Sequence, residues 1–150
     1  MTCLFELSIA LLITLLNGFF VMAEYSLVRI RKSRLDELIR QGKSRANTVL
    51  KMSEKLDTYL SATQLGITAS SLLLGWFGGP LLAEMFRGMF GVSAGTWYDH
   101  SLVFACAFLI IVFLHVVFGE LVPRTIALGK VEQVAMAVAY PLVFFHYLLY

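Results

Sequence analysis

The sequence predicts an all-α integral membrane domain: about three transmembrane helices, amphipathic helices beside the membrane, and a third span interrupted by proline. Three observations carry this. Of 150 residues, 59% are hydrophobic and only 15% charged, with a mean hydropathy of +0.78, whereas a soluble domain needs more charge on its surface. Residues 7–23 carry no charge, and residues 101–119 carry none beyond the titratable His115; uncharged apolar stretches of about 18 residues or more are long enough to cross a bilayer. Finally, nine of the twelve Lys and Arg residues fall between Arg29 and Lys55.

The first apolar stretch is a retained span. A cleaved signal peptide wants a basic leader, and the only early charge is Glu6. The basic cluster follows it, and an excess of Lys and Arg marks the cytoplasmic side. The expected arrangement is an outside N-terminus, residues 29–57 in the cytoplasm, and a multi-pass protein of the bacterial inner membrane. Asp36, Glu37, Glu54 and Asp57 interleave with the basic residues, so no nucleic acid is expected as partner. Within this segment, "SRLDELIRQG" has Ser33 as a cap, acids in the first turn and Gly42 at the stop. "SRANTVLKMSEKLDTYL" places Val49, Met52, Leu56 and Leu60 on one face. Both are expected as short helices on the membrane surface, apolar faces in the interface and basic residues at the headgroups.

The second span is expected from about residue 58 to 78, ended by the breaker "FGGP" at 77–80. A short helix at 81–90 and a loop at 91–100 follow, with Trp97 and Tyr98 as interfacial anchors. The third span runs from about Ser101 to the stretch "GELVP", residues 119–123. Residues 131–150 are apolar with Pro141 inside, and fit a fourth span, a re-entrant hairpin or an interfacial helix. Cys3 and Cys106 show no paired spacing and give neither a metal motif nor a disulfide framework.

The chemistry gathers at the third span. Pro123 has no N–H, so in a helix the carbonyl of Gly119 loses its partner. The Glu120 carboxylate lies beside it. A free carbonyl and a carboxylate are hard oxygen donors of the kind that suit Mg2+, Ca2+ or Na+, and ionisable groups inside a membrane mark functional sites. The structural alternative pairs Glu120 with Arg124, its neighbour at i+4. On the second span Ser61, Gln64, Thr68 and Ser71 share one face, as a polar wall or as ordinary helix-to-helix glue, with Ala62, Gly66 and Ala69 permitting close approach. On the first span Asn17 and Glu24 share a face, as a cation access route or as partners for Arg29 and Arg31. His115 and Glu120 do not form a zinc motif, because five residues turn an ideal helix by about 140° beyond a full turn. No nucleophile elbow or phosphate loop is present, and no catalysis is expected.

The blocks "NGFFVMAEYSLVRIRKSRLDEL", "LDTYLSATQLGITASSLLLGW" and "HVVFGELVPRTIALGKVEQVA", together with Gly119-Glu120-x-x-Pro123, resemble the transmembrane domain of the CorC/CNNM magnesium transporters, including the hemolysin-like bacterial subgroup. The resemblance covers residues 4 to about 145. It implies a homodimer, an outside N-terminus, and a cytoplasmic C-terminus, which favours three full crossings with residues 131–150 not crossing completely. It implies that residues 1–150 are one such domain, a fragment of a longer protein, with CBS domains expected in a full-length relative but absent from these residues. It also implies a dehydrated Mg2+ held by a polar residue of the first span, asparagines of the second, and a main-chain oxygen plus the Glu of the third. Glu120 and Gly119 match that set. The asparagine positions fall on Ile67 and Ser71, and the serine before the first-span Glu falls on Ala23, so Gln64, Thr68 or Ser71 are the replacements at hand. The function expected is the membrane domain of a divalent cation transporter or exporter. Mg2+ is the transported ion, another divalent cation is the alternative cargo, and Na+ is a candidate coupling ion. The alternative is a non-transporting anchor or regulatory subunit of the same fold.

Overall fold

A computed structural model describes residues 2–90 and 97–149, with side chains at 5, 7–78, 101, 105, 106 and 108–149. The described residues are helical apart from short connections. The order is α1 (Thr2–Arg29), α2 (Lys32–Arg40), α3 (Ser44–Glu54), α4 (Leu56–Phe90), α5 (Trp97–Leu114), a π-helical segment (His115–Leu121), α6 (Val122–Gly129) and α7 (Val131–Leu149).

Three helices among the described residues are long and apolar enough to cross a bilayer: Leu7–Arg29, Phe108–Gly129 and Val131–Leu149. The chain is thus a multi-pass membrane protein. The expected second span is not in that set, because its serines, threonines and Gln64 dilute its apolar character. It nevertheless runs between the two central spans. Phe20 meets Gly66 while Glu24 reaches Gln64, and His115 meets Ser71 while Ile111 meets Gly78, so α4 is antiparallel to α1 and to the α5–π segment. A Cβ on Gly66 would lie 2.6 Å from the Phe20 ring, so only glycine lets α1 and α4 come this close. At 35 residues, α4 is about 52 Å long.

Several expectations about the second span are corrected. "FGGP" does not break the helix: α4 continues through Pro80 to Phe90, with no separate helix at 81–90. A proline removes one hydrogen bond from the ladder, and a helix inside a bundle keeps its course when neighbours hold it. Gly78 sits against Ile111, where a Cβ would meet Cδ1 at 2.5 Å. The loop expected at 91–100 ends earlier, because Trp97 opens α5. The side chains of Trp97, Tyr98 and Cys3 lie outside the described residues; Cys106 is a free, exposed cysteine.

The amphipathic helices form, but their apolar faces do not lie in the membrane interface. Leu35, Leu38, Ala46, Val49 and Met52 are buried in one cluster with Ala135, Val138, Ala139 and Leu142 of α7. A helix offered an apolar protein surface buries its stripe there more completely than against headgroups. α2 begins one residue before Ser33, after an extended Arg31, and Ser33 is not its cap; Asp36 and Glu37 fall after its first turn. The stop is as the sequence places it, with Gly42 at φ +81°, a conformation that a side chain disfavours. Lys55 separates α3 from α4, so Val49 and Met52 belong to one helix and Leu56 and Leu60 to the next.

α7 lies across this end of the bundle. Its Glu132 pairs with Arg34, its Tyr140 lies under Arg45, and only its last turns climb to Phe20 and Tyr59, which touch Phe145 and His146. Phe20 is nine residues, or about 14 Å, from the end of α1. Phe145 therefore comes level with the middle of α1, while His146 stays beside Tyr59 near the start of α4.

Candidate functional site

Two polar clusters form where α1, α4 and the π-helical segment meet. The first is a cleft of about 380 Å³ whose polar lining is Glu24 of α1, Gln64 and Thr68 of α4, and Glu120. Val21, Tyr25 and Ile67 complete its wall. Helical periodicity puts Glu24 on the face of Val21 and Asn17, and Thr68 one turn after Gln64. Glu24 lies within hydrogen-bonding reach of Gln64 and feels the charge of Glu120.

Neither carboxylate has a counter-ion among the described residues. Among the described residues the salt bridges are Arg34–Glu37 and Arg34–Glu132. Arg124, the expected i+4 partner of Glu120, instead places its guanidinium over the Tyr25 ring, 4.6 Å from the centroid, a favourable cation–π geometry. Arg29 and Arg31 do not pair with Glu24 either.

The second cluster is a buried knot around Gly119. The segment His115–Leu121 is π-helical, and Val122 N–H bonds to the Val117 carbonyl five residues back. The interruption expected at Pro123 therefore takes the form of a π turn ahead of it, a form that occurs often at functional sites. The Gly119 carbonyl, which Pro123 cannot satisfy, accepts a hydrogen bond from Asn17 Nδ2 at 2.8 Å. A Cβ on Gly119 would lie 3.1 Å from Asn17 Nδ2 and 3.1 Å from His115 Nδ1, so the glycine makes room for both.

Ser71 Oγ lies 2.9 Å from the Ile67 carbonyl and 3.1 Å from His115 Nε2, so its one hydroxyl proton serves one of the two and the imidazole tautomer sets which. His115 Nδ1 and Asn17 Oδ1 are buried with no hydrogen-bond partner among the described residues.

The candidate residues thus divide. Glu120, Gln64, Thr68 and Glu24 come together in the cleft. Gly119, Ser71 and Asn17 meet in the knot, and Asn17 is only 1% exposed. Ser61, on the same face of α4, is exposed and bonds back to the Asp57 carbonyl. Sequence reasoning set His115 aside as a zinc ligand and missed it as the centre of the knot; its one signal was to be the lone histidine in an uncharged run of residues 101–119. Among the described residues no three His, Cys, Asp or Glu side chains converge as a metal cage. Two carboxylates, an amide and a hydroxyl at an open cleft suit a hard cation that keeps part of its water shell.

Comparison with known proteins agrees with this architecture. The cyclin M transmembrane N-terminal domain, CNNM, matches residues 7–150. The chain is 41% identical over 136 residues to UPF0053 protein YugS of Bacillus subtilis, covering 90% of this chain and 32% of YugS. It is 43% identical over 136 residues to UPF0053 protein YhdT of the same organism, covering 90% and 30%. An uncharacterized protein of Mycobacterium tuberculosis is 41% identical over 133 residues, covering 89% and 38%. The chain spans about a third of the length of these relatives. Matched along nearly its whole length by one domain, the chain belongs to the CNNM transmembrane family.

Proposed function

We propose that the chain is the membrane domain of a divalent cation transporter, with Mg2+ as cargo, and that the cleft between Glu24, Gln64, Thr68 and Glu120 is where the cation binds. The observation that carries this is the pair of carboxylates on one cleft without a counter-ion. Like charges sharing a site repel, and a bridging dication relieves the repulsion. Mg2+ binds through one or two carboxylates while retaining waters, which fits a cleft of about 380 Å³ better than a closed cage. The concentration of basic residues between Arg29 and Lys55 supports a cytoplasmic position for that end, an outside N-terminus and an inner-membrane location. Gln64 and Thr68 are exposed on the isolated chain, which supports a homodimer in which a second copy narrows the cleft. Na+ suits the same oxygen donors and is the coupling ion we infer.

The test is Mg2+ flux into vesicles reconstituted with the protein, wild type against Glu120→Gln and Glu24→Gln. Each substitution keeps the shape and removes one charge. The expected result is loss of flux with unchanged insertion and assembly; undiminished flux in Glu120→Gln refutes the reading.

One observation favours a second reading, a membrane anchor or regulatory subunit that does not transport. Ile67 lines the cleft where a side-chain oxygen would complete the ligand set. Under that reading the carboxylate variants change stability or assembly and no wild-type flux exists to lose.

A further inference from the structure

The basic end of the bundle carries a second cleft, of about 480 Å³, which the proposed transport does not use. It opens where the span Leu7–Arg29 ends, between the start of α2 and the start of α7. Arg29, Arg31, Ser33 and Arg34 line it, and Ile30 and Val131 form an apolar lip.

Its charges are not equivalent. Glu37 and Glu132 also stand on its wall, but both are engaged by Arg34: Nη1 on Glu37, and Nε on Glu132 Oε1 at 2.6 Å with Nη2 on Oε2 at 3.3 Å. Arg34 therefore offsets one of the two acidic charges and fixes α2 to α7; with Arg29 and Arg31 added, the cleft is left with a net positive charge. Arg29 and Arg31 are exposed and have no carboxylate partner among the described residues. Ser33 is exposed and presents a hydroxyl beside them. What remains is two guanidinium groups and a hydroxyl facing one cleft, a donor set that matches phosphate oxygens.

The position selects the source of the phosphate. Arg29 is the last residue of a membrane-crossing helix, and Val28 before it is 58% exposed. A ligand here meets apolar surface on the membrane side and cations on the other, as a phospholipid does. Basic pockets at the ends of spanning helices bind lipid headgroups in this way.

We propose that this cleft binds the headgroup phosphate of an anionic phospholipid, with Arg29 and Arg31 as counter-ions and Ser33 as a hydrogen-bond donor. The bound lipid would bridge α1, α2 and α7 at the membrane boundary.

Native mass spectrometry of the detergent-solubilised protein, titrated with phosphatidylglycerol or phosphatidylcholine, tests this. The wild type is expected to retain phosphatidylglycerol in preference to phosphatidylcholine. The double variant R29Q/R31Q should bind phosphatidylglycerol about 30-fold more weakly, from about 1 kcal/mol for each basic residue at the surface, with phosphatidylcholine unaffected. A second double variant, K51Q/K55Q, removes the same charge outside the cleft and should bind like wild type. If R29Q/R31Q does not fold, Ser33→Glu places a carboxylate at the cleft and should give the same loss. Equal binding of the two lipids by wild type, or equal losses in the two double variants, overturns the proposal. So does displacement of the lipid by an equal concentration of glycerol phosphate, which would assign the cleft to a free phosphate.

Discussion

Asn17 Nδ2 donates to the Gly119 carbonyl at 2.8 Å, across 102 positions of sequence. The bond ties the first span to the point where the third departs from α-helical geometry. It also satisfies the carbonyl that Pro123 leaves open, so one side chain compensates for a proline on another helix. Replacing Asn17 by Ala should destabilise the protein by about 1–2 kcal/mol, the range for a buried hydrogen bond in a membrane bundle. Thermal unfolding in detergent measures it. A midpoint equal to wild type would mean that the carbonyl finds another partner.

Ile67 lines the cleft at a position where the resemblance to the CorC/CNNM family leads to the expectation of an asparagine. Ile67→Asn supplies an amide oxygen at that position. Mg2+ affinity, read by isothermal titration, should rise about tenfold, equivalent to about 1.4 kcal/mol, if the cleft is where the cation binds. Unchanged or weaker binding would count against the assignment, provided the variant elutes as wild type.

Gly66 faces the Phe20 ring so closely that a Cβ would lie 2.6 Å from it. Gly66→Val should force α1 and α4 apart at a cost of about 1–3 kcal/mol. Phe20→Leu should recover part of the loss in the double variant, because the two residues share one contact. Additive effects in the double variant would show that the two sites are independent.

Leu38 is 1% exposed and packs in the cluster that α7 covers. Leu38→Ala should cost about 2–4 kcal/mol, as for a buried leucine. A helix merely resting on the membrane surface would lose far less, so thermal unfolding of this variant separates the two placements of α2.

The sequence by itself determined the class of the protein. Uncharged runs of bilayer length admit few structures other than spanning helices, because backbone groups in lipid must bond within their own segment. Gly119, Glu120 and Pro123 pointed to the candidate site for a local reason: a missing N–H and a carboxylate in adjacent turns need no distant information. Gly42 at the end of α2 was legible for the same reason.

Only the tertiary structure decided which polar residues meet. Gln64, Thr68 and Ser71 share a stripe of α4, yet the first two open on Glu24 and Glu120 while Ser71 turns to His115. Periodicity assigns a face but cannot name the neighbour that the face meets. Arg124 chose the Tyr25 ring over Glu120, and α2 and α3 chose α7 over the membrane surface. Each choice is a competition between partners of comparable chemistry, and what settles it is proximity in the folded bundle. FGGP carried the opposite lesson. A breaker weighed by its own residues stops a helix, but in a helix held between two others the loss of one hydrogen bond is too small to redirect the chain.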